Sequence, residues 1–181
     1  MTGFGRYPFG TNAFGKPQKP KVFVSYHHDN DQAYYDRFSE LFGDVYDLVT
    51  NRSVDRILGS DDADYQRNRI RDEYITGTSL TIVLCGAESH KRKFIDWEIC
   101  ATLNKEHGLL GIALPTARRT PDGKVIVPGR LVDNVQSGFA HFVSWTEDPN
   151  QAKAAIDTAL QKAANKQRIA NSRETMKRNE A

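Results

Sequence analysis

The chain has 181 residues, of which 39% are hydrophobic, and a formal net charge of +2 at pH 7, which fits one domain of ordinary size with room for tails. No apolar run approaches the roughly 18 residues of a membrane span, and the two cysteines, Cys85 and Cys100, lack the spacing of a disulfide scaffold or a zinc module. The N-terminus has no basic stretch followed by an apolar core, so we expect no signal peptide and a cytoplasmic protein.

The charge is distributed unevenly along the chain. Residues 1–20 carry a net +3 and residues 151–181 a net +4, whereas residues 21–150 carry a net −5. A nucleic-acid-binding domain concentrates Lys and Arg on its folded surface, and only residues 91–93 form such a basic cluster here. We therefore expect neither a nucleic acid nor a membrane as a partner.

The two ends of the chain differ in composition from the middle. Residues 1–20 are rich in Gly, Pro and Phe without a strand or helix period, which predicts a flexible arm. A folded domain is expected over residues 21–167. Residues 168–181 are basic and have no apolar face, which predicts a frayed C-terminal tail.

Residues 21–77 predict two strands, each followed by a helix. The run 22–24 is typical of a buried strand, and the helix after it ends at Gly43. Residues 45–49 predict the second strand, followed by a polar loop at 50–59. A further helix is expected to begin around residues 60–62 and to end near Gly77.

The same alternation continues in the second half. Residues 80–85 are apolar throughout, as expected of a central strand covered on both faces, and a helix is expected from residue 94 to 106. Strands are predicted at 109–114 and 142–145, separated by a long connection with an edge strand at 124–127. The sequence from Pro149 predicts a last helix that extends past residue 165.

Strands that alternate with helices over short joins predict a three-layer α/β domain with a central parallel sheet. Five such units fit the flavodoxin-like strand order 2-1-3-4-5. In that order ligands bind at the C-terminal ends of strands 1 and 3, where the chain reverses direction. The loops at residues 25–31 and 85–94 are therefore the expected site.

Glu98 is the acidic residue that this topology singles out. It lies about one turn into its predicted helix, at the border of the face formed by Ile95, Ile99 and Leu103. A partly desolvated carboxylate there attracts and stabilises positive charge. An acid near a helix start also has an ordinary role in balancing the helix dipole, and the pattern alone leaves both roles open.

Several familiar sites are missing from the sequence. It contains no P-loop, no Rossmann fingerprint after a strand and no GxSxG nucleophile elbow. His27 and His28 are adjacent, and adjacent strand side chains point to opposite faces, so we expect no metal site. Cys85 is expected to be a buried strand cysteine rather than a nucleophile.

Two segments of the chain resemble the TIR-like domain family. Residues 21–27 (KVFVSYH) resemble its first-strand box, and residues 79–86 with 93–99 (KFIDWEI) resemble its third strand and the following helix. The resemblance covers about residues 20–150 and is nearest to the bacterial branch that includes the TIR protein of the Thoeris anti-phage system. It implies the TIR version of the flavodoxin-like fold.

The resemblance also implies an activity. Enzymes of this branch cleave NAD+ between nicotinamide and ribose and make a cyclic or conjugated ADP-ribose signal for a separate effector protein. NAD+ is then the substrate, with no cofactor or metal, and Glu98 would be the catalytic residue. Substrate contacts are implied for the first-strand loop and two aromatic residues, namely Ser25, Tyr26, His27, Phe94 and Trp97.

Two other functions stay open at this point. One is a non-catalytic TIR module used for assembly or as an adaptor, and the other is a hydrolase that simply depletes NAD+. Phe94 replaces the usual Trp of the family and Ile95 the usual small Cys, and Trp97 has the alternative of packing inside the domain. The sequence predicts no effector domain. Its basic tail is a candidate contact with a second copy of the chain or with another partner.

Overall fold

The structure, a computed structural model, describes residues 19–50 and 69–181. Within these ranges five parallel strands form one sheet in the order β2-β1-β3-β4-β5. The strands are β1 Lys21–Ser25, β2 Asp47–Thr50, β3 Leu80–Cys85, β4 Gly108–Ala113 and β5 His141–Ser144. The strand order and the parallel α/β architecture predicted from the sequence are confirmed.

Helices cover both faces of this sheet. In the described ranges the α-helices are α1 His28–Phe42, α2 Lys93–Asn104, α3 Gly129–Gln136 and α4 Pro149–Ala163. The apolar residues of α1 and α4 pack on one face, and those of α2 and α3 pack on the other. No described helix is long and apolar enough to cross a membrane.

The two central strands, β3 and β4, are buried along their whole length. Each of them has a strand on both sides and helices above and below. This double coverage explains why the sequence of β3 is uniformly apolar instead of alternating.

The crevice of the fold lies between the ends of β1 and β3. These strands are neighbours, and Ser25 at the end of β1 pairs with Val83 of β3. The chain leaves β1 into α1 on one face, whereas it leaves β3 into α2 on the opposite face. The two connections therefore diverge and open a gap at this edge of the sheet.

Three predicted elements differ from the structure. The connection 115–140 contains α3, which the sequence pattern did not predict because this short helix buries Arg130 and Asn134 beside Leu131, so its apolar period is interrupted. Residues 124–127, which the structure describes, do not form a strand. An isolated bridge joins Arg119 to Val125 there. The helix α4 ends at Ala163 and does not pass residue 165.

The prediction of a frayed tail at 168–181 is also wrong. The Ala170 backbone N–H donates to Asn134 Oδ1 at 3.0 Å, and the Met176 backbone N–H donates to Asp96 Oδ2 at 2.9 Å. Ile169 packs against the apolar cluster of α2 and α3, but the rest of the segment is held by polar bonds to these helices, so hydrophobic periodicity gave no sign of it.

Some predictions fall outside the described residues. These are nearly all of the N-terminal arm at 1–20, the loop at 50–59 and the helix start at 60–62. Where the description resumes, residues Ile70–Ile75 form a π-helical turn ahead of Gly77, which has a positive φ of 85°. A glycine suits this turn because it adopts the left-handed region without strain.

Candidate active site

Glu98 lies on the side of α2 that faces the sheet. Its neighbours Ile95, Ile99 and Leu103 pack into the apolar cluster between α2 and the sheet. Only 4% of Glu98 is exposed. A carboxylate with so little water around it interacts strongly with any positive charge brought beside it.

Ser25 is the partner of Glu98 at the end of β1. The Ser25 hydroxyl donates to Glu98 Oε2 at 2.5 Å, and Ser25 is 1% exposed. The two residues are 73 positions apart in sequence. The sheet topology therefore brings the predicted catalytic residue to the predicted first-strand loop.

The hydroxyl groups of two threonines, Thr81 and Thr102, fix α2 on the sheet one turn after Glu98. The Thr102 hydroxyl donates to the backbone carbonyl of Glu98 at 2.8 Å, and its oxygen lies 2.7 Å from the Thr81 hydroxyl of β3. Both threonines are fully buried. The backbone at Glu98 is thus held from below by β3, while its side chain is held by β1.

The structure separates Tyr26 from this pair. The Tyr26 ring belongs to the core cluster on the α1 face and stacks on Tyr35 with ring centroids 4.6 Å apart. Its hydroxyl donates to Gln32 Oε1 at 2.9 Å. His27 is the N-cap residue of α1 and makes no side-chain capping bond; its largely buried side chain lies 3.8 Å from the carboxylate of Asp29.

Phe94 and Trp97 form an aromatic pair in the first turns of α2. Their ring centroids are 5.3 Å apart in an edge-to-face arrangement, and the Lys93 ammonium lies about equally close to both rings. Phe94 is partly buried, whereas Trp97 is 2% exposed and donates its indole N–H to the Met176 carbonyl at 2.7 Å. Trp97 therefore packs inside the domain, and Phe94 stands at the start of α2.

Asp31 is a buried acid at the end of the predicted loop 25–31, and the sequence pattern did not single it out. It is fully buried in the first turn of α1, and neither carboxylate oxygen has a hydrogen-bond partner among the described residues. Burial raises the pKa of Asp31 to about 6, and the backbone of His27 opposes part of this rise. Its carboxylate lies directly over Gly86 just after β3, where an added Cβ would clash with both carboxylate oxygens.

Cys85 lies at the end of β3, in the same region. It is fully buried, and burial, followed by the charge of Asp31, raises the pKa of its thiol far above the ordinary value. The expectation of a buried strand cysteine is confirmed. In residues 19–50 and 69–181 no group of three His, Cys, Asp or Glu side chains is placed to hold a metal ion.

Charged residues border the crevice beyond β3 and β4. Glu88 makes an ion pair with Arg118 at 2.5 Å and another with Lys91 at 3.4 Å. Burial by itself would raise the pKa of Glu88, but these cations hold it below the ordinary value. Glu88 is therefore ionised at neutral pH and neutralises part of the positive charge at this edge.

Asp96 and Arg130 are two further residues near the site, and sequence reasoning missed them because they act only in three dimensions. They form a buried ion pair with a contact of 2.9 Å, and they are 34 positions apart. No local spacing in the sequence links them. The one available signal was an isolated arginine within an otherwise unassigned connection.

A known family matches the part of the chain that builds this site. The family described as Thoeris protein ThsB, TIR-like domain, matches residues 23–119. No curated protein matches the chain. The family match includes Ser25 and Glu98 and spans more than half of the sequence, but it ends before α3 and the C-terminal segment. The chain therefore belongs to the family of the TIR-like domain of the Thoeris protein ThsB.

Proposed function

We propose that this protein is an enzyme of bacterial anti-phage immunity that cleaves NAD+ at the nicotinamide–ribose bond and makes a cyclic or conjugated ADP-ribose signal. The observation that carries the proposal is the position of Glu98, which is nearly buried and bonded to Ser25 at the tip of β1. Ligands of this fold bind at that edge of the sheet. Membership of the ThsB family supports the anti-phage setting.

Cleavage of the nicotinamide–ribose bond is favoured by a largely buried carboxylate such as Glu98. When the bond between the ribose C1′ and the nicotinamide nitrogen breaks, nicotinamide takes the bonding electron pair and leaves as a neutral molecule. No general acid is needed for such a leaving group. The barrier lies in the positive, oxocarbenium-like character left on the ribose, and the Glu98 carboxylate stabilises that charge electrostatically.

The second half of the reaction decides the product. Attack on C1′ by a nitrogen or hydroxyl group of the ADP-ribose itself closes a ring, attack by another nucleophile gives a conjugate, and attack by water gives free ADP-ribose. The low exposure of Ser25 and Glu98 excludes most water from this point. This dryness favours a signalling product over simple hydrolysis.

Roles for the other predicted site residues follow from their places. Ser25 orients the carboxylate, and His27 and Phe94 remain proposed substrate contacts at the crevice edge. Tyr26 and Trp97 are bonded within the domain, so in this proposal they support the site by packing. The signal would act in the cytoplasm on a separate effector protein, and a homo-oligomer is the proposed active assembly.

The test is Glu98→Gln, which keeps the shape of the side chain and removes its charge. We expect nicotinamide release and signal formation to fall by at least 100-fold, on the order expected for loss of a main electrostatic contact. The measurement is mass spectrometry of small molecules from phage-infected cells that express either form. Glu40→Gln, an exposed acid of α1, is the matched control and should behave like the unchanged protein.

The products distinguish the three functions. A cyclic or conjugated ADP-ribose that disappears with Glu98→Gln supports the proposal, and free ADP-ribose alone supports an NAD+-depleting hydrolase. If infected cells show no nicotinamide release from the unchanged protein, the adaptor function replaces the enzymatic one. Circular dichroism of both variants checks that the fold is retained.

A further inference from the structure

The C-terminal segment of residues 170–180, here called the strap, runs along α2 in the opposite direction. It begins beside the end of that helix, where the Asn171 side-chain amide donates to the Cys100 carbonyl at 3.3 Å and to Asn104 Oδ1 at 2.8 Å. It ends beside the start of the helix, where the Glu180 backbone N–H donates to the Lys91 carbonyl at 3.0 Å.

The middle of the strap bonds to two adjacent residues of α2. The Met176 backbone N–H donates to Asp96 Oδ2 at 2.9 Å, and the Met176 carbonyl accepts from the Trp97 indole at 2.7 Å. Both partners on α2 are buried. The backbone N–H and carbonyl of Met176 thus bond to the side chains of the two residues that directly precede Glu98.

Arg130 ties the strap to the core through a charge. Its side chain is fully buried and donates from Nε to Asp96 Oδ1 at 2.9 Å. From Nη1 it donates to Asn171 Oδ1 at 2.6 Å. Arg130 therefore joins α3, α2 and the strap in one buried network.

The strap also supplies the cap that α2 lacks. The N-cap residue Arg92 makes no side-chain capping bond, and the first N–H groups of a helix need acceptors from elsewhere. The Lys93 backbone N–H donates instead to Asn179 Oδ1 at 2.9 Å. A residue 86 positions away thus completes the start of the helix that carries Glu98.

These contacts hold α2 from the side opposite to the candidate site. Asp96 precedes Glu98 by two positions, which places it about 200° around the helix. Glu98 faces the end of β1, and Asp96 faces α3 and the strap. A buried ion pair adds little net stability compared with apolar packing, and fixing one arrangement is its better-attested use.

We propose that the strap, with Asp96 and Arg130, positions Glu98 against Ser25 by fixing the rotation and height of α2 on the sheet. Asp96, Arg130 and Asn179 are positioning residues in this arrangement. This inference rests on the proposed function, because it assigns a purpose to the exact place of Glu98. Arg130 and the strap lie outside residues 23–119, so they extend the site beyond the part that the family match covers.

The experiment compares the unchanged protein with four variants. They are a chain that ends at residue 169, Asn179→Ala, Asn179→Asp and the control Lys177→Ala, whose side chain is 85% exposed on the strap. Rates are measured as nicotinamide release by purified protein, or as signal per molecule of protein in infected cells. Hydrogen exchange of α2 reports separately whether the strap is in place. The fluorescence of Trp97 reports the same when every form also carries Trp145→Phe, because the chain has two tryptophans.

We expect the shortened chain to lose activity by 10- to 100-fold, because a displacement of about 1 Å costs that much in a positioned site. The loss should appear in kcat with little change in KM, with faster exchange in α2 and a red-shifted, more quenchable Trp97 emission. Asn179→Ala should show a smaller loss in kcat, and Asn179→Asp should restore it, because the carboxylate again offers an acceptor to Lys93. Lys177→Ala should match the unchanged protein.

Different results overturn the inference and the proposed function. If the shortened chain exposes Trp97 and loosens α2 yet keeps its full rate, or if Asn179→Asp fails to restore what Asn179→Ala loses, the strap does not position Glu98. If the shortened chain does not fold, the comparison of Asn179→Ala with Asn179→Asp decides the matter. Full activity of Glu98→Gln refutes the proposed function whatever the strap does, and unchanged α2 exchange without the strap refutes the inference even in a protein without activity.

Discussion

At the scale of single residues, the hydrogen bond from Ser25 orients the Glu98 carboxylate in the candidate site. A hydrogen bond to a charged group contributes about 1.5–3 kcal/mol, and this one joins two residues that are both nearly buried. The bond keeps the carboxylate at the end of β1 instead of letting it turn along α2. The same acid one helical position away would face apolar side chains and have no access to a ligand.

Asp31 is a buried acid whose ionisation the fold controls. It is buried without a hydrogen-bond partner in the described residues, and its pKa is raised from 3.8 to about 6. Folding therefore favours its neutral form. The tighter proton binding by the folded state contributes to the free energy of unfolding. This contribution is complete below about pH 4 and is lost as the pH rises through about 6.

The prediction for Asp31 concerns the pH dependence of Asp31→Asn. Asn cannot ionise, so the variant does not lose this stability as the pH rises. Between pH 4 and pH 8 its free energy of unfolding, relative to that of the unchanged protein, should increase by about 2–3 kcal/mol, since one pKa unit corresponds to about 1.4 kcal/mol. Urea unfolding of both proteins at several pH values measures the difference. Asp36→Asn, a substitution at an exposed position of the same helix, is the matched control. A constant difference between Asp31→Asn and the unchanged protein would contradict the raised pKa.

At the scale of elements, α2 is the helix on which the site depends. Its apolar face packs on β3 and β4, its N-terminus is capped by the strap, and its last turn is fixed to β3 through the threonine pair. Each of these contacts comes from a different part of the chain. The helix is therefore placed by tertiary contacts, and its own sequence supplies only the tendency to form it.

The threonine pair has a direction that mutation can reveal. Thr102 uses its single hydroxyl proton on the Glu98 carbonyl, so Thr81 must donate to Thr102. Thr102→Val then leaves the buried Thr81 hydroxyl without this acceptor, whereas Thr81→Val leaves the Thr102 donor satisfied. We expect Thr102→Val to lower the free energy of unfolding by about 1–2 kcal/mol more than Thr81→Val does.

Chemical denaturation of the two single variants and of the double variant measures this asymmetry. The double variant should be no less stable than Thr102→Val alone, because it removes the orphaned hydroxyl as well. Equal losses in the two single variants would show that the assigned direction of the bond is wrong. The steric change is the same in both, since each replaces Thr by Val at a fully buried position.

At the scale of the whole molecule, the strand order creates the crevice. β1 and β3 are neighbours in the sheet, but their connections leave on opposite faces. Glu98 reaches this edge from α2, and Asp31 reaches it from α1. Two buried acids from two layers thus meet the ends of the same two strands, one with a serine partner and one without a partner in the described ranges.

Binding of NAD+ at this edge should stabilise the whole domain. At a ligand concentration of ten times Kd, binding adds about 1.4 kcal/mol to the free energy of unfolding, which raises Tm by roughly 3–6 °C for a chain of this size. Glu98→Gln is the form to measure, because it should bind NAD+ without consuming it. Differential scanning fluorimetry with and without NAD+ gives the shift, and ATP at equal concentration is the control for nonspecific effects.

A shift with ATP as large as that with NAD+ would show that the site recognises only the nucleotide half. No shift with NAD+ at millimolar concentration would place the binding site elsewhere or require an assembled form. The comparison tests recognition of the substrate separately from its cleavage. It therefore complements the measurement of products in infected cells.

The sequence by itself predicted the fold, which the structure confirms, and singled out Glu98 as the candidate catalytic residue. The uniformly apolar run of β3 and the alternation of strands with helices depend on burial by neighbouring layers, a requirement that local composition records directly. The motif around Glu98 lies within a single helix and its preceding strand, so it is readable along the chain. The same holds for Cys85, whose apolar surroundings predicted its burial.

Only the tertiary structure decided which residues stand together at the site. Ser25 reaches Glu98, Arg130 reaches Asp96 and Asn179 reaches Lys93 across 73, 34 and 86 positions. The tail was expected to fray because it has no apolar face, yet polar bonds hold it in place. Hydrophobic periodicity reports which side of an element is buried, but a hydrogen bond or an ion pair between distant residues leaves no period in the sequence, so these contacts appear only when the chain is folded.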